Sequence, residues 1–184
     1  MKFTSLSLKN FRNYESLDCQ PDAGITVLYG ANGSGKTNFL ESMHLLSVGR
    51  SHRTAVDREM IAQGEDVAFV RAQTMRLDGR HDLEVRLYPL EKPQKRVLIH
   101  GKPAERVSDM MGHATTVMFA PEDLRIVSDG PAARRRFIDM QLSQIRPSYL
   151  KALRRYLSAL ESRNALLKGN KARPAEDFDR QLDA

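Results

Sequence analysis

The chain opens on an alternation of polar and apolar residues. In KFTSLSL, residues 2–8, Leu6 and Leu8 fall on one face at period two, which predicts a strand. After LKNFRNYESL, Pro21 and Gly24 punctuate the chain before a short apolar run, ITVLY, at residues 25–29. That run predicts a second strand, ending directly in a glycine-rich loop. The period then changes: in NFLESMHLL, Phe39, Leu40, Met43, Leu45 and Leu46 recur at helical spacing, and Gly49 supplies a stop.

Period two returns between Val67 and Ile99. DVAFVRAQ, HDLEVRLY and KRVLIH predict three strands, separated by DGR and the turn-rich EKPQ, with a further tight turn at HGK. Three strands without intervening helices predict an antiparallel meander set in, or beside, an α/β core. TTVMFA predicts one more short strand running into Pro121. The remainder reads as mostly helical. Leu150, Leu153, Leu157, Leu160, Asn164 and Leu167 alternate spacings of three and four over about three heptads, which suits one side of a helical lobe better than a long coiled coil. Gly169 and Asn170 end that seam. A new pattern starts at Phe178 and is cut off at Ala184, which predicts that the chain is part of something longer.

Composition narrows the class. A chain of 184 residues, 41% hydrophobic and 28% charged, is that of a folded protein with room for one core and part of a second. No apolar run is long enough to span a bilayer, and MKFTSLSLKN lacks the apolar stretch of a secretory signal. A single cysteine, Cys19, excludes an internal disulfide and a cysteine-based zinc site, so a reducing, cytoplasmic setting is expected. His52 has no second histidine or cysteine spaced to join it in a metal site and reads as a surface residue.

The net charge of +6 leans towards polyanionic partners, and its distribution sharpens that lean. Between Arg134 and Arg155 seven basic residues face one acid, Asp139. Such a run is either a solvated helix face or a nucleic-acid surface. Arg134, Arg135 and Arg136 would point in three directions on a helix, so they cannot all meet one ligand.

The specific chemistry lies in YGANGSGKTNFLESM. Gly30, Gly35, Lys36 and Thr37 satisfy the pattern of a phosphate-binding P-loop, G-x-x-x-x-G-K-[ST]. Glycines allow positive φ and bring successive N–H groups to phosphate oxygens. Lys36 suits the β- and γ-phosphates, Thr37 suits Mg²⁺, and the helix that starts there adds its N-terminal donors. Hydrolysis needs more, namely an apolar strand ending in acids. In TTVMFAPED, Pro121 interrupts the run before Glu122 and Asp123, so it is a poor candidate.

Together LKNFRNY, GANGSGKTNFLESM, GRSHR at 49–53, FAPEDLRIVSDGPAARRRFID at 119–139 and SRNALLK at 162–168 resemble the RecF family. The resemblance covers essentially the whole chain in the same order. It implies an α/β fold: the N-terminal half of an ABC-type, SMC/Rad50-like P-loop ATPase head with an antiparallel β meander over residues 1–130, and the start of a helical lobe over 131–184. It implies ATP and Mg²⁺ as ligands, with the signature serine and Walker B acids beyond Ala184. It further implies an ATP-dependent homodimer with weak DNA-dependent ATPase activity that clamps double-stranded DNA near single-strand gaps. That dimer would act with RecO and RecR to help load the recombinase RecA, in replication, repair and the SOS response.

Residue by residue, the resemblance assigns Gly30, Ala31, Asn32, Gly33, Ser34, Gly35, Lys36 and Thr37 to the phosphates. Arg12 and Asn13 fall where relatives meet the base or α-phosphate. Thr37 would hold the metal, and Glu122 would hold a metal-bound water or else cap the following helix. Arg50, Arg53, Arg134 and Arg135 are candidates for DNA phosphates; His52, between the first pair, departs from the aromatic residue of the family. A P-loop kinase or other phosphotransferase would need a lid of arginines and an acceptor-binding acid. A non-hydrolysing nucleotide-binding fragment would need neither. A half-head alone would be inactive and, with apolar strand edges uncovered, poorly soluble.

Overall fold

The computed structural model describes residues 1–22, 24–120, 126 and 130–167. The chain divides into two compact units, Met1–Met118 and Phe119–Ala184.

Alternation along the first unit builds one sheet. Its strands are β1 (Lys2–Phe11), β2 (Tyr14–Cys19), β3 (Ala68–Arg76), β4 (Gly79–Leu87), β5 (Lys95–Ile99) and β6 (Lys102–Pro103). They lie in the order β2-β1-β3-β4-β5-β6, antiparallel at every pairing. The register sets Leu8 opposite Val70, Val70 opposite Val85 and Val85 opposite Val97, an apolar row across four strands. Every member of that row is buried. The neighbouring row runs Ser7, Arg71, Glu84, Leu98 on the opposite face, where Arg71 Nε donates to Glu84 at 2.7 Å.

Helix α1 (Lys36–Val48) packs Phe39, Leu45 and Leu46 into the core beside the sheet's apolar face. Leu40, expected inside, is 47% exposed instead, because the wheel that buries Leu45 and Leu46 turns it outward. Gly49 closes α1 as expected, at φ 80, with its N–H on Leu45 O at 2.8 Å. A Cβ there would stand 2.4 Å from Val107 Cγ1, so close packing as well as backbone conformation requires glycine.

The strands expected at ITVLY and TTVMFA are corrected. Neither segment is paired as a strand among the described residues, and Ile25 and Tyr29 are each 92% exposed. An apolar run becomes a strand only when another strand accepts its hydrogen bonds, and nothing in the local sequence says whether one is present. The converse error is β2, which the patterning of YESLDC does not announce. Its inward residues Tyr14, Leu17 and Cys19 are only partly covered against the core, and it forms because the turn at Arg12 and Asn13 returns the chain onto β1.

In the second unit, α2 (Pro131–Ile145) starts with Pro131 in the first turn, where its missing N–H costs nothing. Helix α3 (Pro147–Leu167) follows and packs on α2, and Tyr149 Oη donates to the Asp139 carboxylate between them. The leucine seam is buried at Leu150 and half-buried at Leu153, Leu157 and Leu160, while Asn164 and Leu167 are exposed. Pro121, Glu122 and Asp123, the stop at Gly169 and Asn170, and the pattern from Phe178 lie outside the described residues. Among the described residues no helix is long and apolar enough to cross a membrane.

Candidate phosphate-binding site

The loop is exposed from Gly30 to Ser34 and turns directly into α1 at the buried Gly35. Gly35 is the residue before the helix, at φ 101, and a Cβ on it would meet the Asn13 amide at 2.8 Å and the Tyr14 ring at 3.0 Å. Glycine is therefore required twice over, by φ and by close approach. The first intrahelical bond is Phe39 N–H to Gly35 O at 2.9 Å, which leaves the N–H groups of Lys36, Thr37 and Asn38 without an acceptor inside the helix. No acid stands in the first turn of α1 to oppose an anion.

Lys36 folds back over the loop. Its Nζ donates to Gly30 O at 3.0 Å and Ala31 O at 2.7 Å, with Ser34 Oγ at 3.4 Å. The ammonium is thus held over the loop by neutral oxygens, which a charged phosphate can outcompete. Thr37 is exposed at the mouth of the loop, one residue into the helix.

The turn between β1 and β2 buttresses this loop. Asn13 Nδ2 donates to Gly33 O at 3.2 Å, Asn38 Nδ2 donates to Asn13 Oδ1 at 2.8 Å, and Tyr14 Oη donates to Gly35 O at 3.1 Å. Arg12, at φ 54, binds a carboxylate. Its Nε and Nη2 donate to the two oxygens of Glu41 at 3.0 and 2.6 Å, and its Nη1 donates to Glu59 O at 2.7 Å.

Glu41 is fully buried on α1. Burial pushes its carboxyl up, but the hydrogen bonds from Arg12 and Ser51 and the charges of Arg12 and Arg53 outweigh burial and hold it below its ordinary value. Ser51 Oγ donates to Glu41 and itself accepts from Arg53 N–H at 2.9 Å. Arg53 Nη1 lies 3.6 Å from Glu41 and donates to Asn38 Oδ1 at 2.8 Å.

The structure therefore gathers residues scattered in sequence. Arg12, Asn13 and Arg53 all reach the first two turns of α1, beside the Gly30–Thr37 loop. Arg50 is half-buried just past the end of α1, and Arg134 and Arg135 belong to α2 in the other unit, where Arg135 is exposed. Glu122 lies outside the described residues. Sequence reasoning missed Glu41, Ser51, Tyr14 and Asn38. For Glu41 a signal existed, since the spacing 41, 45, 48 puts a carboxylate on the apolar stripe with Leu45 and Val48, and a buried carboxylate demands a cation.

Residues 5–102 match the family model described as AAA domain. The chain is 45% identical over 178 residues to the DNA replication and repair protein RecF of Lacticaseibacillus casei, covering 97% of this chain and 47% of that protein. RecF of Oenococcus oeni is 40% identical over 188 residues, covering 100% of this chain and 50% of that protein. The chain thus spans about half the length of the curated relatives it matches. A solved structure of the recombination mediator protein RecF with ATP superimposes with a TM-score of 0.81 at 31% identity, over 98% of this chain and 49% of that one. The SMC head domain from Thermotoga maritima shares the fold, with a TM-score of 0.53 at 18% identity over 71% of this chain and 52% of that one. The chain belongs to the AAA domain family, and over nearly its whole length it is RecF proteins that it resembles.

Proposed function

We propose that the Gly30–Thr37 loop binds the triphosphate of ATP, and that this chain supplies one side of a shared, switchable site in a recombination and repair protein. The observation that carries this reading is the position of Lys36, held over the loop by the carbonyls of Gly30 and Ala31 at the open start of α1. On binding, the Lys36 ammonium exchanges those carbonyls for phosphate oxygens, while the N–H groups of the first helical turn take the anion. The Thr37 hydroxyl is the group that would meet Mg²⁺ coordinated to the same phosphates. Arg12 and Asn13 act on the nucleotide from behind: Asn13 fixes the loop through Gly33 and Asn38, and Arg12 neutralises the Glu41 carboxylate that would otherwise repel the phosphates.

The RecF relatives support the larger reading. The complete protein would dimerise on ATP, clamp double-stranded DNA near single-strand gaps through basic residues such as Arg53, Arg134 and Arg135, and act with RecO and RecR to help load recombinase. Lys36→Ala in the complete protein tests it. ATP-dependent dimerisation and DNA retention should both be abolished while the fold is kept. Survival of both would sink the switch.

A further inference from the structure

Three histidines far apart in sequence meet at one end of the sheet. His81 lies at the start of β4, His100 in the turn between β5 and β6, and His113 in the segment after the short 3-10 helix Val107–Met110. Each can offer one ring nitrogen, and the three nitrogens lie within 4.8 Å of one another. His81 Nδ1 and His113 Nδ1 are 2.8 Å apart.

The elements hold these rings in place. His81 sits opposite Thr74 in the register, and Thr74 Oγ1 donates to His113 O at 2.9 Å, so β3 ties two of the three together. His100 and Gly101 have φ of 51 and 75, the left-handed pair of a tight hairpin turn, and His100 N–H donates to Asp82 O at 2.8 Å. The turn expected at HGK thus delivers an imidazole to the cluster.

The arrangement suits a cation. Asp78 Oδ1 stands 3.1 Å from His81 Nε2, and accepting that N–H fixes the tautomer that leaves the Nδ1 lone pair pointing at His113. A carboxylate behind a ligating histidine is the usual outer support of a bound metal. Asp82 Oδ2 lies 3.9 Å from His100 Nδ1, so a second carboxylate stands beside the cluster; each carboxylate also holds an arginine, Asp82 with Arg80 at 3.4 Å and Asp78 with Arg76 at 3.1 Å.

We propose that His81, His100 and His113 form a binding site for a divalent transition metal of the zinc type, with a fourth position open to water or a carboxylate. Imidazole nitrogens suit such ions, and three of them with an open position is a known zinc arrangement. Nitrogens about 2.0–2.1 Å from a tetrahedral zinc stand roughly 3.3 Å apart. The His81–His113 pair need therefore open by only about 0.5 Å, and the widest separation close by no more than about 1.5 Å. The bound ion would clip the start of β4, the β5–β6 turn and the 113 segment together, independently of nucleotide.

Zinc titration of the untagged, metal-free chain tests this by calorimetry, with cobalt absorption as a spectroscopic report of tetrahedral nitrogen ligands. Binding of one ion per chain is expected. His100→Asn and His113→Asn should each weaken it by more than about 10-fold, and Asp78→Asn by about 10-fold. Lys36→Ala should leave it unchanged. Far-UV circular dichroism of the metal-free variants reports whether the fold is kept. Should a histidine variant not fold, Asp78→Asn decides alone, since that carboxylate is exposed. No cobalt band, or zinc affinity indifferent to Asp78 and the histidines, would overturn the proposal and leave the three rings as an edge-packed cluster.

Discussion

Replacing Glu41 by glutamine should be among the most damaging single changes in the first unit. The carboxylate is fully buried and accepts from Arg12 at 3.0 and 2.6 Å and from Ser51. A glutamine keeps the shape but removes the charge and turns one acceptor into a donor facing the Arg12 guanidinium, itself only 16% exposed. Breaking one partner of a buried ion pair costs about 3–5 kcal/mol, mostly from the charge left behind. At about 2–4 °C per kcal/mol for a chain of this size, even the lower figure lowers the melting midpoint by about 6–12 °C. Thermal and urea unfolding of the parent and Glu41→Gln measure this directly. The double variant Arg12→Met with Glu41→Leu should recover most of the loss, because it removes both charges. A Glu41→Gln protein within about 0.5 kcal/mol of the parent would refute the reasoning, which rests on burial and pairing together.

The same network sets an acid limit. Glu41 titrates lower in the folded chain than its ordinary 4.5, so the unfolded chain binds the proton more readily. Its contribution is therefore complete above the unfolded value and is lost as pH falls through the folded one. Urea midpoints taken from neutral pH downward should fall below about pH 4.5 and fall less in the Arg12→Met, Glu41→Leu variant. Gly49→Ala should destabilise by about 1–3 kcal/mol, through positive φ and the approach of Val107, as read by urea unfolding; Val107→Ala in the same chain should return part of it. In the complete protein, Arg134→Glu or Arg135→Glu should weaken DNA binding and reduce its salt slope by about 1 for each arginine that neutralises a phosphate. Affinity unchanged across the salt titration would return both to the solvated face of α2.

The elements legible in sequence are those whose pattern is also their packing. The alternation at Leu6 and Leu8, and in the three runs between Val67 and Ile99, reads directly because one face meets the core and the other meets solvent. Helix α1 and its stop at Gly49 are equally plain. Residues 25–29 and 115–120 mislead because strand formation depends on a partner elsewhere, and β2 escapes notice for the same reason in reverse. The phosphate loop is legible because its chemistry is local to eight residues. Its support is not: Asn13 and Tyr14 reach it only through the β1–β2 turn, and Ser51 meets Glu41 only because α1 ends at Gly49. The histidine cluster has no sequence signature, since His81, His100 and His113 converge through strand register and a hairpin turn.

Nucleotide binding by Lys36 is the claim on which the functional reading rests, and MgATP titration by calorimetry, supported by thermal shift, tests it most directly. The parent should bind ATP and melt higher in its presence, the shift growing as RT ln(1 + [ATP]/Kd). Lys36→Ala should keep the parent's melting midpoint without nucleotide and lose both heat and shift. Equal ATP affinity in the two proteins would contradict the account, because the loop at residues 30–37 would then not be where the phosphates are held.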